Sequence, residues 1–243
     1  DPDSGEVRMM LEMNEISKKA PTWLIPSNHA NLPYQRYLGW RSAARLKAEL
    51  VGFFDDDLRI CRKTTLHTLV QPFGDSSHPG APVVGVTADI EVGEACRNAD
   101  ISTKALSSER NAGEITPGGH RYPLPAKSEG DWTSVRWFRG GVIFLQMEAL
   151  DTSVFSHDLF AMYEKRVGKG EDSILGLRVS SRGVIVHFHV LGIVHPDSTV
   201  PMAYPASGFA RARAIAYSRR LINDNLRYPG RPTLRDRVGL LKS

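Results

Sequence analysis

"LVGFFDDDLRI", residues 50–60, decides how this chain is read: an apolar run from Leu50 to Phe54 stops on three consecutive carboxylates, Asp55, Asp56 and Asp57. A short apolar run bounded by turn residues predicts a buried strand. Asp favours turns and charge runs usually face water, so the aspartates by themselves describe a solvated turn. Open α/β sheets bind ligands at the carboxyl ends of their strands, however, and carboxylates placed there can supply oxygen ligands to a divalent cation. The sequence on either side has to choose between these two readings.

Upstream, "TWLIPS" (22–27) predicts a short strand and residues 31–49 a helix, with Pro33 near its first turn. Downstream, a helical stretch around 62–71 leads through the turn-rich "GDSSHPGAP" to a strand, "VVGVTADIE" (83–91). Strands alternating with helices predict a mainly parallel sheet. From about Arg97 to Ser134 periodicity gives way to Ser, Gly, Pro and charge, the composition of a functional or mobile loop. Strand character returns at 134–146, and 156–168 reads as a helix with Leu159, Phe160 and Tyr163 on one face. Residues 170–183 form a second helical pattern with Gly183 as its stop, and 184–194 read as the last strand. A basic helix is expected over 206–224. There are no internal repeats.

The 243 residues suffice for one large α/β domain or two small ones. A formal charge of +4 with both signs interspersed argues against nucleic acid as a partner, while nucleotide phosphates or an anionic membrane surface fit it. The two cysteines, Cys61 and Cys96, form no CxxC pair and read as isolated thiols. No run approaches the ~20 apolar residues of a membrane span, and no signal-peptide pattern is present. The chain opens on "DPDSGEV" without Met, as a processed or trimmed piece of a longer protein would.

Further acidic or imidazole groups fall at element ends. Glu171 and Asp172 open a helix, where acids favour the helix dipole and need no other role. His195 follows the last strand. His187 and His189 alternate on one strand face, as metal ligands or as hydrogen-bonded core residues. Gly140 and Gly141 suit a close backbone approach or a bulge, and Arg36 lies on the first helix.

Taken in order, these segments resemble the family-2-like glycosyltransferases of the GT-A fold. "NLPYQRYLGWRSA" resembles the family's N-x-G-x-x-x-A-R-N-x-G helix, "LVGFFDDDL" the strand carrying its D-x-D signature, and "FRGGVIFLQMEAL" its acceptor-side segment. "GKGEDSILGLRVSSRG" is similar to the G-E-D-x-x-L-x-x-R helix and "GIVHPDS" to the closing V-x-H. The resemblance covers roughly residues 22–200. It implies a GT-A-like α/β domain over 1–205, a mainly parallel twisted sheet flanked by helices, with a basic helical extension over 206–243. It further implies an inverting transferase moving a sugar from a UDP-, GDP- or dTDP-sugar to a carbohydrate, lipid-linked or small-molecule hydroxyl, with Mn²⁺ or Mg²⁺ as cofactor.

Carried onto this sequence, the motifs make Asp57 and His195 metal ligands, and Arg36, Asp55, Asp56, Gly140 and Gly141 donor-side or substrate contacts. Asp172 becomes the catalytic base, with Glu171 positioning it or the acceptor. The expected location is cytoplasmic, with the basic C-terminal region a candidate for peripheral membrane contact. Where the family has a strand, helix and strand ahead of these motifs, this chain has only "DPDSGEV", and the second Arg of the acceptor-side segment is absent. A catalytically silent relative that binds carbohydrate or a partner through the same cleft is the alternative. A metal-dependent phosphoester hydrolase ranks behind both, for want of further clustered His and Asp.

Overall fold

The computed structural model describes residues 25, 27, 31–74, 81–92, 112–116, 121–122, 124, 128–155, 159–160, 170–189, 192–195 and 208–226. The chain divides into two compact units, Asp1–Ala30 and Asn31–Ser243, and every element below belongs to the second. Most of the strand expected at 22–27 and most of the helix expected at 156–168 lie outside the described residues.

Helix α1 (Leu32–Arg45) is opened by Asn31, whose side chain accepts from the Tyr34 amide, with Pro in its first turn where no amide donor is needed. β1 (Leu50–Phe54) is followed by β2 (Arg59–Ile60), α2 (Thr65–Gly74), β3 (Val83–Ala88) and β4 (Glu91–Val92). Then come β5 (Trp132–Val135), β6 (Val142–Gln146), α3 (Glu171–Ser180), β7 (Val184–Phe188), β8 (Ile193–His195) and α4 (Gly208–Leu226). Five strands form one sheet in the order β1-β6-β3-β7-β5, and β2-β8-β4 form a small second one.

The large sheet is mixed, which corrects the expectation of a mainly parallel one. β6 lies antiparallel between β1 and β3, β5 lies antiparallel to β7, and only β3 and β7 run parallel. The expected single strand at 134–146 is two strands, β5 and β6, with only residues 136–141 between them. β5 and β6 run in the same direction, both opposed to β3 and β7, so residues 136–141 return the chain to the starting end without a helix and the mixed sheet follows.

β6 shows why these strands read as continuous apolar runs. Val142 and Phe144 point into a core shared with Leu69 of α2, while Ile143 and Leu145 point into a core shared with Ile174 of α3 and Ile222 of α4. Both faces are covered, so alternation carries no polar positions. α4 is tied to α3 by Arg178, whose Nε donates to Asn225 at 3.0 Å. Among the described residues no helix is long and apolar enough to cross a membrane.

Candidate active site

The position of α3 follows from one small residue. A Cβ at Gly176 would lie 2.5 Å from the Trp137 Cα and 2.8 Å from the Arg136 carbonyl, so only glycine lets the helix seat directly on that backbone. The chain enters α3 through Gly170, held at φ 99° in the left-handed region. The first turn of α3, Glu171 and Asp172, is thereby set beside the 139–141 loop. There the Phe138 amide donates to the Asp172 carbonyl at 3.4 Å, and a Cβ at Gly140 would meet Asp172 Oδ2 at 2.7 Å.

The loop itself is fastened by Thr87, whose hydroxyl accepts from the Arg139 amide at 3.0 Å and donates to the Val142 carbonyl at 2.9 Å. Gly141, at φ 99°, passes its carbonyl to the Asp55 amide at 3.0 Å. The strand end of β1 and the start of α3 are therefore joined across the Gly140–Gly141 turn.

Arg36 closes this arrangement. Its Nη1 donates to Asp172 Oδ1 at 2.7 Å and its Nη2 stands 3.9 Å from Asp55 Oδ1, with the arginine side chain only 5% exposed. Burial would lower the Arg36 pKa, but attraction from Asp172, Glu171 and Asp55 outweighs it and raises it. Asp55 is shifted upward, first by burial and then by repulsion from Asp172, Asp57 and Asp56, against the pull of Arg36. Glu171 is pushed up to about 7 by burial and by neighbouring Asp172. It lines a cavity of about 10 Å³ with Pro33, Arg36, Phe155, Leu159 and Leu175, room for one water at most. At neutral pH Glu171 therefore carries a proton for much of the time.

Asp57 and His195, 138 positions apart in number, meet where β8, the central strand of the small sheet, ends, His195 Nε2 to Asp57 Oδ2 at 3.0 Å. Both are partly exposed, with side chains 32% and 48% accessible for His195 and Asp57. Asp56 is exposed in the turn after β1. Of the residues singled out in the sequence, the structure thus gathers Arg36, Asp55, Gly140, Gly141, Glu171 and Asp172 at one point and pairs Asp57 with His195. It leaves Asp56 outside both groups.

Three residues join the neighbourhood without having been singled out: Asp89, Arg139 and Arg121. The β3–β7 register sets Thr87 opposite His187 and Ala88 opposite Phe188, which carries Asp89 to the end of β7. There Asp89 Oδ1 lies 2.9 Å from His187 Nε2 and Oδ2 lies 2.8 Å from His189 Nδ1. Among the described residues these three make the one group of at least three such side chains whose ligand atoms lie within 4.8 Å of one another, a set able to hold a metal ion. Arg139 Nη1 is 3.2 Å from the same carboxylate. An acid directly after the "VVGVTA" strand repeats the pattern seen at Asp55 and could have been noticed. Arg121 lies in a segment without periodicity and carried no such signal.

No protein-family model matches this chain, and no curated protein matches it. Among solved structures, a crystal structure of GalNAc-T7 with UDP, GalNAc and Mn²⁺ aligns over 88% of this chain and 40% of its own, at 12% identity and a TM-score of 0.48. This chain therefore spans well under half of that structure's length. At that level of likeness the reading of the site rests on its own residues.

Proposed function

We propose that the protein is a metal-dependent, inverting glycosyltransferase of GT-A type that moves a sugar from a nucleotide-diphosphate donor to an acceptor hydroxyl. The observation that carries this reading is Arg36, whose guanidinium draws together Asp55 at the end of β1 and Asp172 at the start of α3. These carboxylates come from two separate motifs of the series, 117 positions apart, and no local feature of the chain would bring them to one arginine.

Asp57 and His195 are the residues that would hold the cation. A carboxylate and an imidazole 3.0 Å apart and open to solvent form a mixed oxygen and nitrogen set, which suits Mn²⁺ better than Mg²⁺. When bound, the cation neutralises charge on the departing nucleoside diphosphate. Asp172 takes the proton of the acceptor hydroxyl from the face opposite the leaving group. Arg36 holds Oδ1 of that carboxylate, which leaves Oδ2 at the Gly140 side to receive the proton. Glu171, raised by burial and by Asp172, holds a proton more readily than an ordinary carboxyl and so lessens the negative charge beside the base.

Calorimetry with UDP and GDP, with and without Mn²⁺, tests the donor half of this reading. Metal-dependent binding that disappears in Asp57→Ala supports it, and equal affinity with and without metal sinks it. Turnover tests the other half: Asp172→Asn should slow transfer by about 10² to 10⁴, the usual share of a general base, while nucleotide binding persists.

A second reading has its own observation. A carboxylate committed to a buried 2.7 Å ion pair is a poor base unless the arginine yields, which favours a silent carbohydrate-binding relative. Sugar-nucleotide consumption by the wild-type protein in the presence of acceptors separates the two.

A further inference from the structure

Arg121 is held by a strap on which none of the motifs of the resemblance falls. Ile115 and Arg121 form an isolated antiparallel bridge, the Tyr122 amide donates to the Glu114 carbonyl at 2.9 Å, and the Arg136 amide donates to the Gly113 carbonyl at 2.8 Å. Gly113 makes the last contact possible, since a Cβ there would collide with the Ser134 carbonyl. The strap is thus pinned to the end of β5 and delivers Arg121 to the first turn of α3.

The guanidinium is fixed on two sides. It lies over the Trp137 ring at 5.0 Å, and its Nε donates to Ser173 Oγ at 2.9 Å, one residue beyond Asp172. Among the described residues neither Nη atom has a hydrogen-bond partner, and no carboxylate lies within ion-pair distance. A cation partly withdrawn from water is costly unless paired, and burial does lower the Arg121 pKa in spite of attraction from Asp172 and Glu171. A stacked, oriented guanidinium whose outer edge is uncommitted among the described residues is a preformed receptor for a planar or tetrahedral anion, which it can grip with two parallel hydrogen bonds.

We infer that Arg121 recognises an anionic group on the acceptor, a carboxylate or a phosphate, and so sets the acceptor class of the transferase. The inference rests on the transferase reading for the word acceptor, because Arg121 bonds to Ser173, the residue that follows the proposed base. The anion site itself stands on the geometry of Arg121 alone.

Calorimetry without metal or nucleotide tests it, with inorganic phosphate and acetate as bare probes. The expected result is saturable phosphate binding that weakens about tenfold in Arg121→Gln and less in Arg121→Lys, which keeps the charge but loses the fork. Absence of phosphate binding in the wild type, or binding unchanged in Arg121→Gln, overturns the proposal. Should Arg121→Gln fail to fold, Arg121→Lys and Ser173→Ala decide in its place, both being expected to weaken binding. Glucose 6-phosphate and methyl glucuronide, each compared with methyl glucoside, distinguish phosphate-bearing from carboxylate-bearing acceptors. Asp57→Ala should leave phosphate binding intact, and Arg121→Gln should leave Mn²⁺-dependent UDP or GDP binding intact. Loss of either property counts against Arg121 as an acceptor contact, whereas phosphate binding through Arg121 in a wild-type protein that binds no nucleotide with Mn²⁺ counts against the transferase reading alone.

Discussion

Arg36 Nη1 and Asp172 Oδ1 meet at 2.7 Å although 136 positions of chain separate them, and both side chains are nearly shut off from water. A buried pair of this kind adds little net stability over an apolar pair, yet breaking it leaves an unpaired charge. Arg36→Met should therefore lower folding stability by roughly 3–5 kcal/mol, while Arg36→Met combined with Asp172→Leu should lower it much less. Urea denaturation of the two variants measures the difference, and equal losses would mean that the ion pair is not what Arg36 supplies.

The protonation of Glu171 gives a pH signature. Its folded pKa is raised from 4.5 to about 7, so between those values the unfolded chain releases a proton that the folded chain keeps. Stability from this residue is full below pH 4.5, declines as pH rises and is gone above about 7. Glu171→Gln should remove this decline, gaining on the order of 1–3 kcal/mol relative to wild type on the alkaline side and little on the acid side. Denaturation midpoints that keep the same slope with pH in both proteins would show that Glu171 is ionised throughout.

The Asp89 cluster should govern the acid limb. Burial keeps the His187 pKa below its ordinary 6.5 despite its bond to Asp89, so as pH falls below 6.5 the unfolded chain is protonated first and stability drops. Burial would raise Asp89, but the bonds from His187 and His189 hold it at about 2. Its contribution is present above its unfolded value of 3.8 and disappears as pH falls through about 2. His187→Gln retains a donor toward Asp89 while removing the titration. Its acid unfolding should begin at lower pH than in the wild type, as circular dichroism across an acid titration would reveal.

Gly141 is constrained twice, by its φ of 99° and by neighbours: a Cβ there would lie 2.9 Å from Ile90 Cδ1 and 3.4 Å from Asp55 Oδ2. Gly141→Ala should cost about 1–3 kcal/mol through strain. If the donor-side assignment is right, it should also weaken nucleotide binding more than an equally destabilising change in α4. Equal nucleotide affinity in the two variants would confine Gly141 to a structural role.

Much of this architecture was legible because apolar periodicity reports burial. β1, α1, α2, β3, α3 and α4 lie close to where pattern and turn residues put them. Strand direction was not legible, since Val142–Gln146 looks the same whichever way it runs and its neighbours are chosen by long-range packing. The expected last strand, 184–194, divides into β7 and β8, and these belong to different sheets. In the candidate site, the aspartate run and Glu171-Asp172 were marked by their positions at element ends, and the Gly pair by its lack of side chains inside an apolar stretch. Arg121 was not, because a strap held by single bridges and carbonyl contacts imposes no periodic pattern on its residues.

The contact of Gly140 with Asp172 Oδ2 reaches beyond this one molecule. With so little space for any side chain at 140, the two positions are not independent: substitution of the glycine displaces the carboxylate, and removal of the carboxylate releases the glycine. In descendants of this sequence, Gly140 and Asp172 should therefore be kept together or lost together. A lineage that had abandoned Asp172 would be recognisable by larger residues drifting into position 140.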